Sequence, residues 1–354
     1  MRIFYIQGDY NFCYYYRGYL PAIYSNQMCV SSFIRQDMRA NDQEMTDKAL
    51  KADIVCFQRP SGENALKLAK LLKQKGKKII FDNDDTYSGI PLARLGSEKQ
   101  VEIAKELNKN LNEFVKLADG VTTSTDILAK EYGELNPNVV VLKNCIDPLD
   151  ELPCKKNETG KFRVGFIGSV TSNDDYIHIK DQIKQLDDLG DITIVIMGVK
   201  YADGSVMPSM GEDRDFWASL TNVEWHPVVP VVEYMSKLAS LALDVAIIPR
   251  KDHYFNKCKS NLKFLEMSLL RIPVLAQGFS DGLSPYQKDK DYLTLVEDNA
   301  KWYTHIITIK NNYATYKDLA NKAHDYVLIN YNIKSYAQVW TQEIEKLCNS
   351  QKTY

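Results

Sequence analysis

Apolar runs of strand length alternate with helix-period segments along this chain, stop at a polar stretch near its middle, and then begin again. That alternation restricts the fold more than any single motif. Before the break the strand candidates are 2–8 (RIFYIQG), 29–34 (CVSSFI), 52–59 (ADIVCFQR), 77–84 (KKIIFDND), 120–125 (GVTTST) and 138–144 (NVVVLKN). Segments 15–25, 62–75, 98–118 and 125–132 lie between them with apolar residues at helical spacing. Strand, helix and strand in close succession build a parallel sheet covered on both faces. Residues 149–161 (LDELPCKKNETGK) carry Pro, Asn, Gly and charges without a period and read as a linker. The pattern resumes with strands at 163–169, 192–198, 222–228, 244–249, 273–278 and 292–297, and helices near 174–189, 231–241 and 260–270. A helical tail covers 299–310, 312–330 and 334–348. The expected fold class is α/β, two Rossmann-like doubly wound domains over 1–148 and 162–330 that face a cleft, with ligands at the carboxyl ends of the strands.

Composition narrows the setting. A chain of 354 residues with 45% hydrophobic content has enough apolar residues for two cores. Its formal net charge of −2 offers no global basic field, so no stable duplex nucleic-acid partner is expected. Cys13, Cys29, Cys56, Cys145, Cys154, Cys258 and Cys348 include no CxxC pair, which speaks against a zinc site or disulfide framework and for a reducing compartment. The opening MRIFYIQGDY is too short an apolar run for a signal peptide, and no run of about 18 apolar residues occurs. A cytoplasmic location is expected, with peripheral contact to the inner face of a membrane left open.

The chemistry concentrates in FNKCKSNLKFLE, Phe255 to Glu266. It follows a short apolar strand ending at Pro249, and from Ser260 the residues Leu262, Phe264, Leu265, Leu269 and Leu270 take near-helical spacing. Ser260 is the expected N-cap, so that the first-turn N–H groups of residues such as Asn261 and Leu262 open into the preceding loop. Free N–H donors, the helix dipole and Lys257, Lys259 and Lys263 suit a phosphate or diphosphate, and Glu266 is spaced to accept from ribose hydroxyls. A solvated basic loop reads equally from the same residues. Gly168 and Ser169, leaving the strand of GFIGSVTSNDDY, allow close approach to a phosphate, or form only a tight turn. In DNDD, Asp84 and Asp85 end a strand where they could orient acceptor hydroxyls, act as base or bind a cation; a helix cap and solvated turn is the alternative. Tyr10, Tyr14, Tyr15, Tyr16 and Tyr19 surround Arg17, and of these Tyr16 and Arg17 are the acceptor candidates against a background of half-buried packing. His178 and His253 lie near the two phosphate-type loops, whereas His226, His305 and His324 fall in strand or helix patterns. No GxSxG elbow, P-loop or metalloprotease signature is present.

In this order the chain resembles the GT-B glycosyltransferases, most closely family 4 and the group 1 glycosyl transferases. The resemblance spans nearly the whole chain and rests on ADGVTTST, LAKEY and VVVLKNCIDP, then RVGFIGS, VEWHPVVPVVEYMSKLASLALDVAIIP and FNKCKSNLKFLEMSLLRIPVLA. It implies a retaining hexosyl transfer from a nucleoside-diphosphate sugar without a cofactor or obligatory metal. Donor contacts would fall on Gly168, Ser169, Asn256, Ser260, Asn261, Leu262 and Glu266, the last holding the ribose. Lys259 and Lys263 would stabilise the departing diphosphate, and the acceptor would lie on the first domain near Asp84 and Asp85. The tail that includes Trp340, residues 331–354, resembles the family's terminal helix crossing back to the first domain. One departure stands out: the first glutamate of the family's ExxxxxxxE pattern is Cys258 here. A glycan, glycolipid, protein or modified nucleobase is an admissible acceptor. An epimerase of the same fold and a non-catalytic nucleotide-sugar binder are the alternatives.

Overall fold

The computed structural model describes residues 1–8, 12–29, 43–60, 62–90, 98–168, 173–200 and 213–349. Two compact units divide the chain, one formed by Met1–Asp147, Cys258–Ser260 and Tyr331–Tyr354, the other by Pro148–Lys257 and Asn261–Asn330.

In the first unit β1 (Ile3–Ile6) leads into α1 (Phe12–Tyr14), which continues through a π-helical turn at Tyr15–Tyr19 into α2 (Leu20–Tyr24). There follow β2 (Met28–Cys29), α3 (Gln43–Lys51), β3 (Ile54–Gln58), α4 (Glu63–Gln74), β4 (Lys78–Asn83), α5 (Glu98–Leu117), β5 (Gly120–Thr123), α6 (Asp126–Gly133) and β6 (Val139–Val141). The sheet has order β2-β1-β3-β4-β5-β6 and every pairing is parallel. Strands β1, β3 and β5 are buried at every position, as a sheet covered on both faces requires. Of the strand expected at 29–34, Cys29 is in β2 and the remaining residues lie outside the described ones. Helix α3 was not expected; over its nine residues only Met45 and Ala49, one turn apart on a single face, are buried.

The second unit repeats the plan with β7 (Phe162–Ile167), α7 (Asn173–Ile177), α8 (Lys180–Asp188), β8 (Ile192–Lys200), α9 (Arg214–Ala218), β9 (Val223–Pro227), α10 (Val231–Ser240) and β10 (Val245–Ile248). It closes with α11 (Tyr254–Lys257), α12 (Leu262–Leu269), β11 (Val274–Gln277), β12 (Thr294–Val296), α13 (Trp302–Asn311) and α14 (Tyr313–Asn330). Its sheet, also parallel, has order β12-β11-β10-β7-β8-β9. Val164, Phe166, Ile194, Ile196, Val245 and Ile247 form its core with Trp217 and Trp302. The last helix, α15 (Ile333–Asn349), returns to the first unit, where it packs on α2, β4, β5 and β6. Its buried residues Ile333, Ala337, Trp340, Ile344 and Cys348 recur every three or four positions, the period of one helix face.

Strand order decides where each unit can hold a ligand. In the first sheet the chain leaves β1 toward β2 on one side and returns to β3 on the other; in the second, β8 and β10 flank β7 in the same way. Loops leaving the carboxyl ends of two such strands run in opposite directions and open a crevice. The residues after β1 and β3, and those after β7 and β10, therefore line these crevices.

Candidate functional site

At the β7/β10 crevice the loop after β10 is held from below by Asp175 of α7, which is fully buried. Its Oδ2 accepts from Arg250 Nη1 at 3.0 Å, and its Oδ1 accepts from the Lys251 amide at 3.0 Å and Asn256 Nδ2 at 2.7 Å. A buried carboxylate needs such partners, and these three tie α7 to the segment that leads into α12. Asn256 is itself fully buried and spends its amide on Asp175 and the Lys251 carbonyl. Through Nδ2 it braces the loop, while its Oδ1 has no hydrogen-bond partner among the described residues.

Helix α12 begins one residue later than expected. Its N-cap is Asn261, whose side chain makes no cap hydrogen bond and instead donates to Asp289 Oδ2 at 2.8 Å. Ser260 belongs to the first unit, where its Oγ accepts from Asn144 Nδ2 at 2.9 Å, so the Ser260 cap is a misassignment. Without a capping side chain, the first-turn amides of a helix carry the positive end of its dipole, which favours an anion. Leu262 and Lys263 are half-buried in that first turn. One turn on, Glu266 is 4% exposed and its Oε2 accepts from Tyr234 OH at 2.9 Å. Burial, then the Glu266 charge, push the Tyr234 phenol well above its ordinary range, so it stays a donor to that carboxylate.

The other expected contacts are distributed differently. The Gly168 amide donates to Met197 O at 3.1 Å and so extends the sheet. Ser169 lies outside the described residues, as do Thr171 and Ser172. Lys257 pairs with Asp252 at 2.8 Å and with Asp281. Cys258 is fully buried and its carbonyl accepts from Thr125 Oγ1 at 3.1 Å.

At the β1/β3 crevice of the first unit stands a group of two carboxylates and two cations. Arg59, the residue after β3, places Nη2 3.0 Å from Asp85 Oδ2 and Nε 3.5 Å from Asp84 Oδ1. Lys259 Nζ lies 2.7 Å from the same Asp85 oxygen. Burial pushes Asp84 upward, but Arg59, followed by Arg17, the Cys13 thiol and Lys259, outweighs it and holds the carboxyl below its ordinary value. The neighbouring carboxylates Asp84 and Asp85 thus both face Arg59, and Lys259 is engaged on Asp85. Arg59 escaped the sequence reading. The available signal was a charged residue at the carboxyl end of a predicted strand.

Tyr16 and Arg17, the expected acceptor contacts, belong to the interior. Tyr16 is 2% exposed and Arg17 fully buried. Arg17 grips Asp82 through Nε at 3.2 Å and Nη2 at 2.6 Å, donates through Nη1 to Leu142 O and to Asn144 Oδ1, and lies 4.5 Å over the Trp340 ring. With these partners the buried guanidinium serves as the strut between the π-helical turn, β4 and α15. Among the described residues no group of three or more His, Cys, Asp and Glu side chains is placed to hold a metal ion, and no helix is long and apolar enough to cross a membrane.

No family model matches the chain, and no curated protein matches it by sequence. Solved structures do match in fold. HepE from Anabaena, determined with UDP-glucose, superimposes with a TM-score of 0.67 at 11% identity over 98% of this chain and 100% of its own. An alpha-glucosyltransferase determined with UDP-glucose and DNA containing an abasic site gives 0.65 at 14% identity, over 98% and 99% of the two chains. TarM gives 0.60 at 14% identity over 86% of this chain, which spans only 58% of TarM. The fold is the two-unit α/β fold of the GT-B glycosyltransferases.

Proposed function

We propose that this chain is a glycosyltransferase that moves a hexosyl group from a nucleoside-diphosphate sugar to an acceptor hydroxyl. The observation that carries the reading is the open N-terminus of α12 with Lys263 in its first turn and the oriented carboxylate of Glu266 one turn on. The amides and the ammonium group suit the diphosphate, and Glu266 suits the ribose hydroxyls. As the anomeric C–O bond breaks, its electron pair goes to the diphosphate oxygen, and preorganised donors stabilise that growing charge more than they stabilise the intact donor. One such donor contributes about 2.7–4 kcal/mol when water is excluded.

The acceptor oxygen forms the new bond to the anomeric carbon. Asp85 already accepts from two cations, Arg59 and Lys259, and so stands as a fixed acceptor. It orients the hydroxyl, whose proton passes to the departing diphosphate. Attack from the leaving-group side retains the anomeric configuration. The acceptor is a saccharide or lipid-linked glycan, met in the cytoplasm or at the inner face of a membrane, and the chemistry needs no obligatory metal. Buried Cys258 at the position of a sugar-contacting glutamate favours a second reading, a nucleotide-sugar binder without turnover.

The test is a panel of uridine, guanosine and thymidine diphosphate sugars, with release of nucleoside diphosphate measured with and without chelator. Slow metal-independent hydrolysis of one donor is expected. Tight binding without release identifies the binder, and conversion of one free nucleotide sugar into another an epimerase.

A further inference from the structure

Arg59 holds a backbone conformation that a side chain rarely tolerates. Its φ is +48°, in the left-handed region where a residue with a Cβ is strained by roughly 1–3 kcal/mol. The surroundings enforce it. The Arg59 amide donates to Asp82 O at 2.8 Å, which ties the turn to β4. From the other side Gly8 packs so closely that a Cβ there would lie 1.9 Å from Gln58 O and 2.6 Å from Arg59 O. A glycine is required at that approach. A loop could use Gly at position 59 as well and avoid the strain; an arginine stands there instead.

The guanidinium accounts for the choice. Nη1 donates to Cys13 Sγ at 3.0 Å, Nη2 to Asp85 Oδ2 at 3.0 Å, and the group lies 5.9 Å from the Tyr87 ring centre. It thus touches both loops that flank its own at the switch point, the one after β1 and the one after β4. Asp85 Oδ1 is fixed separately by the Thr86 amide at 3.0 Å. The side chains of Arg59, Asp84, Asp85 and Lys259 retain 17%, 14%, 14% and 24% exposure, so the cluster is neither sealed core nor free surface.

We propose that Arg59 is a positioning residue of the acceptor site, holding Asp84 and Asp85 as a fixed anionic pair so that Asp85 receives a hydroxyl of a sugar or polyol. This rests on the glycosyltransferase reading and adds to it a residue that touches neither donor nor acceptor. The division of labour follows from the two cations on Asp85. Arg59 is a rigid fork anchored at three points, whereas Lys259 is a single ammonium on a flexible stem. An arriving hydroxyl displaces Lys259 from Asp85 Oδ2 and leaves the Arg59 contact in place.

Arg59→Gly separates strain from charge, since glycine accepts the left-handed turn while the guanidinium is lost. Arg59→Lys keeps a charge without the fork. With the donor that the wild type hydrolyses, nucleoside diphosphate affinity by calorimetry stays within about twofold of wild type in both variants. Hydrolysis at saturating donor falls roughly 100-fold in Arg59→Gly, the size of effect typical for loss of one oriented group, and less in Arg59→Lys. The pH profile supplies the reading that a purely structural role would not move. Asp84 faces Arg59, Arg17, Cys13 and Lys259, together with Asp82, Asp85 and Tyr87. Its carboxyl sits below the ordinary 3.8, so the Asp84 charge is fully present above that value and is lost as pH falls through the depressed one. Removing Arg59, the largest lowering influence, moves the acid limb of the rate profile to higher pH.

A folded Arg59→Gly variant with the wild-type rate and acid limb overturns the role of Arg59 and leaves the donor reading intact. A wild type that binds no nucleoside diphosphate overturns both.

Discussion

Replacing Arg17 by methionine tests whether the guanidinium at the centre of the first unit is a strut or a substrate contact. The substitution keeps an unbranched chain of similar length but removes the two bonds to Asp82, the donors to Leu142 and Asn144, and the cation over Trp340. Asp82 is left fully buried with the hydroxyl of Thr122, 2.6 Å from Oδ2, as its remaining partner. Breaking a buried pair in this one-sided way costs about 3–5 kcal/mol. At about 2–4 °C per kcal/mol for a unit of this size, the corresponding unfolding transition drops by roughly 6–20 °C. Differential scanning calorimetry reads that shift. The paired change Arg17→Met with Asp82→Leu removes both charges and should recover most of it, because the cost lies in the uncompensated ion rather than in the lost attraction. The double variant should also bind the nucleoside diphosphate as the wild type does. An Arg17→Met protein that melts within a degree of wild type yet no longer transfers sugar refutes the strut and returns Arg17 to the acceptor site.

Two further outcomes follow from α12. Lys263→Ala lowers the transfer rate about tenfold or more with the melting temperature unchanged, as expected for loss of one charge-stabilising donor; an unaltered rate in the purified variant removes Lys263 from the mechanism. Glu266→Gln weakens nucleoside diphosphate binding by calorimetry, and Tyr234→Phe does so to a lesser degree, because the phenol only orients the carboxylate that Glu266 supplies. Equal affinities in wild type and Glu266→Gln contradict the ribose assignment.

Much of the architecture is legible in residue order. The strands found at Ile54–Gln58, Lys78–Asn83 and Val245–Ile248 are apolar runs bounded by polar or turn residues, and α4, α5 and α10 repeat their apolar positions with the helical period. Single-turn helices such as α11 escaped, since four residues hold too few positions to display a period. The site was less legible. Glu266 could be singled out because it is covalently one turn from a helix start, whereas Tyr234 meets Glu266 and Arg250 meets Asp175 across sequence separations of 32 and 75 residues.

Local chemistry by itself determined that this chain makes strands and helices in alternation, that the series runs twice, and that a helix opens shortly after Lys259. Periodicity and turn residues act over a few positions, and those determinations need nothing more. Tertiary structure alone decided that β3 lies beside β1 and β10 beside β7, and hence which loop ends share a crevice. It also decided that Arg17, in the π-helical turn, turns inward toward β4 and α15 while Arg59 stands at a crevice. Two arginines of the same intrinsic chemistry were sorted by which strands became neighbours, because the electrostatic worth of a charge is set by the groups that packing brings within a few ångströms of it.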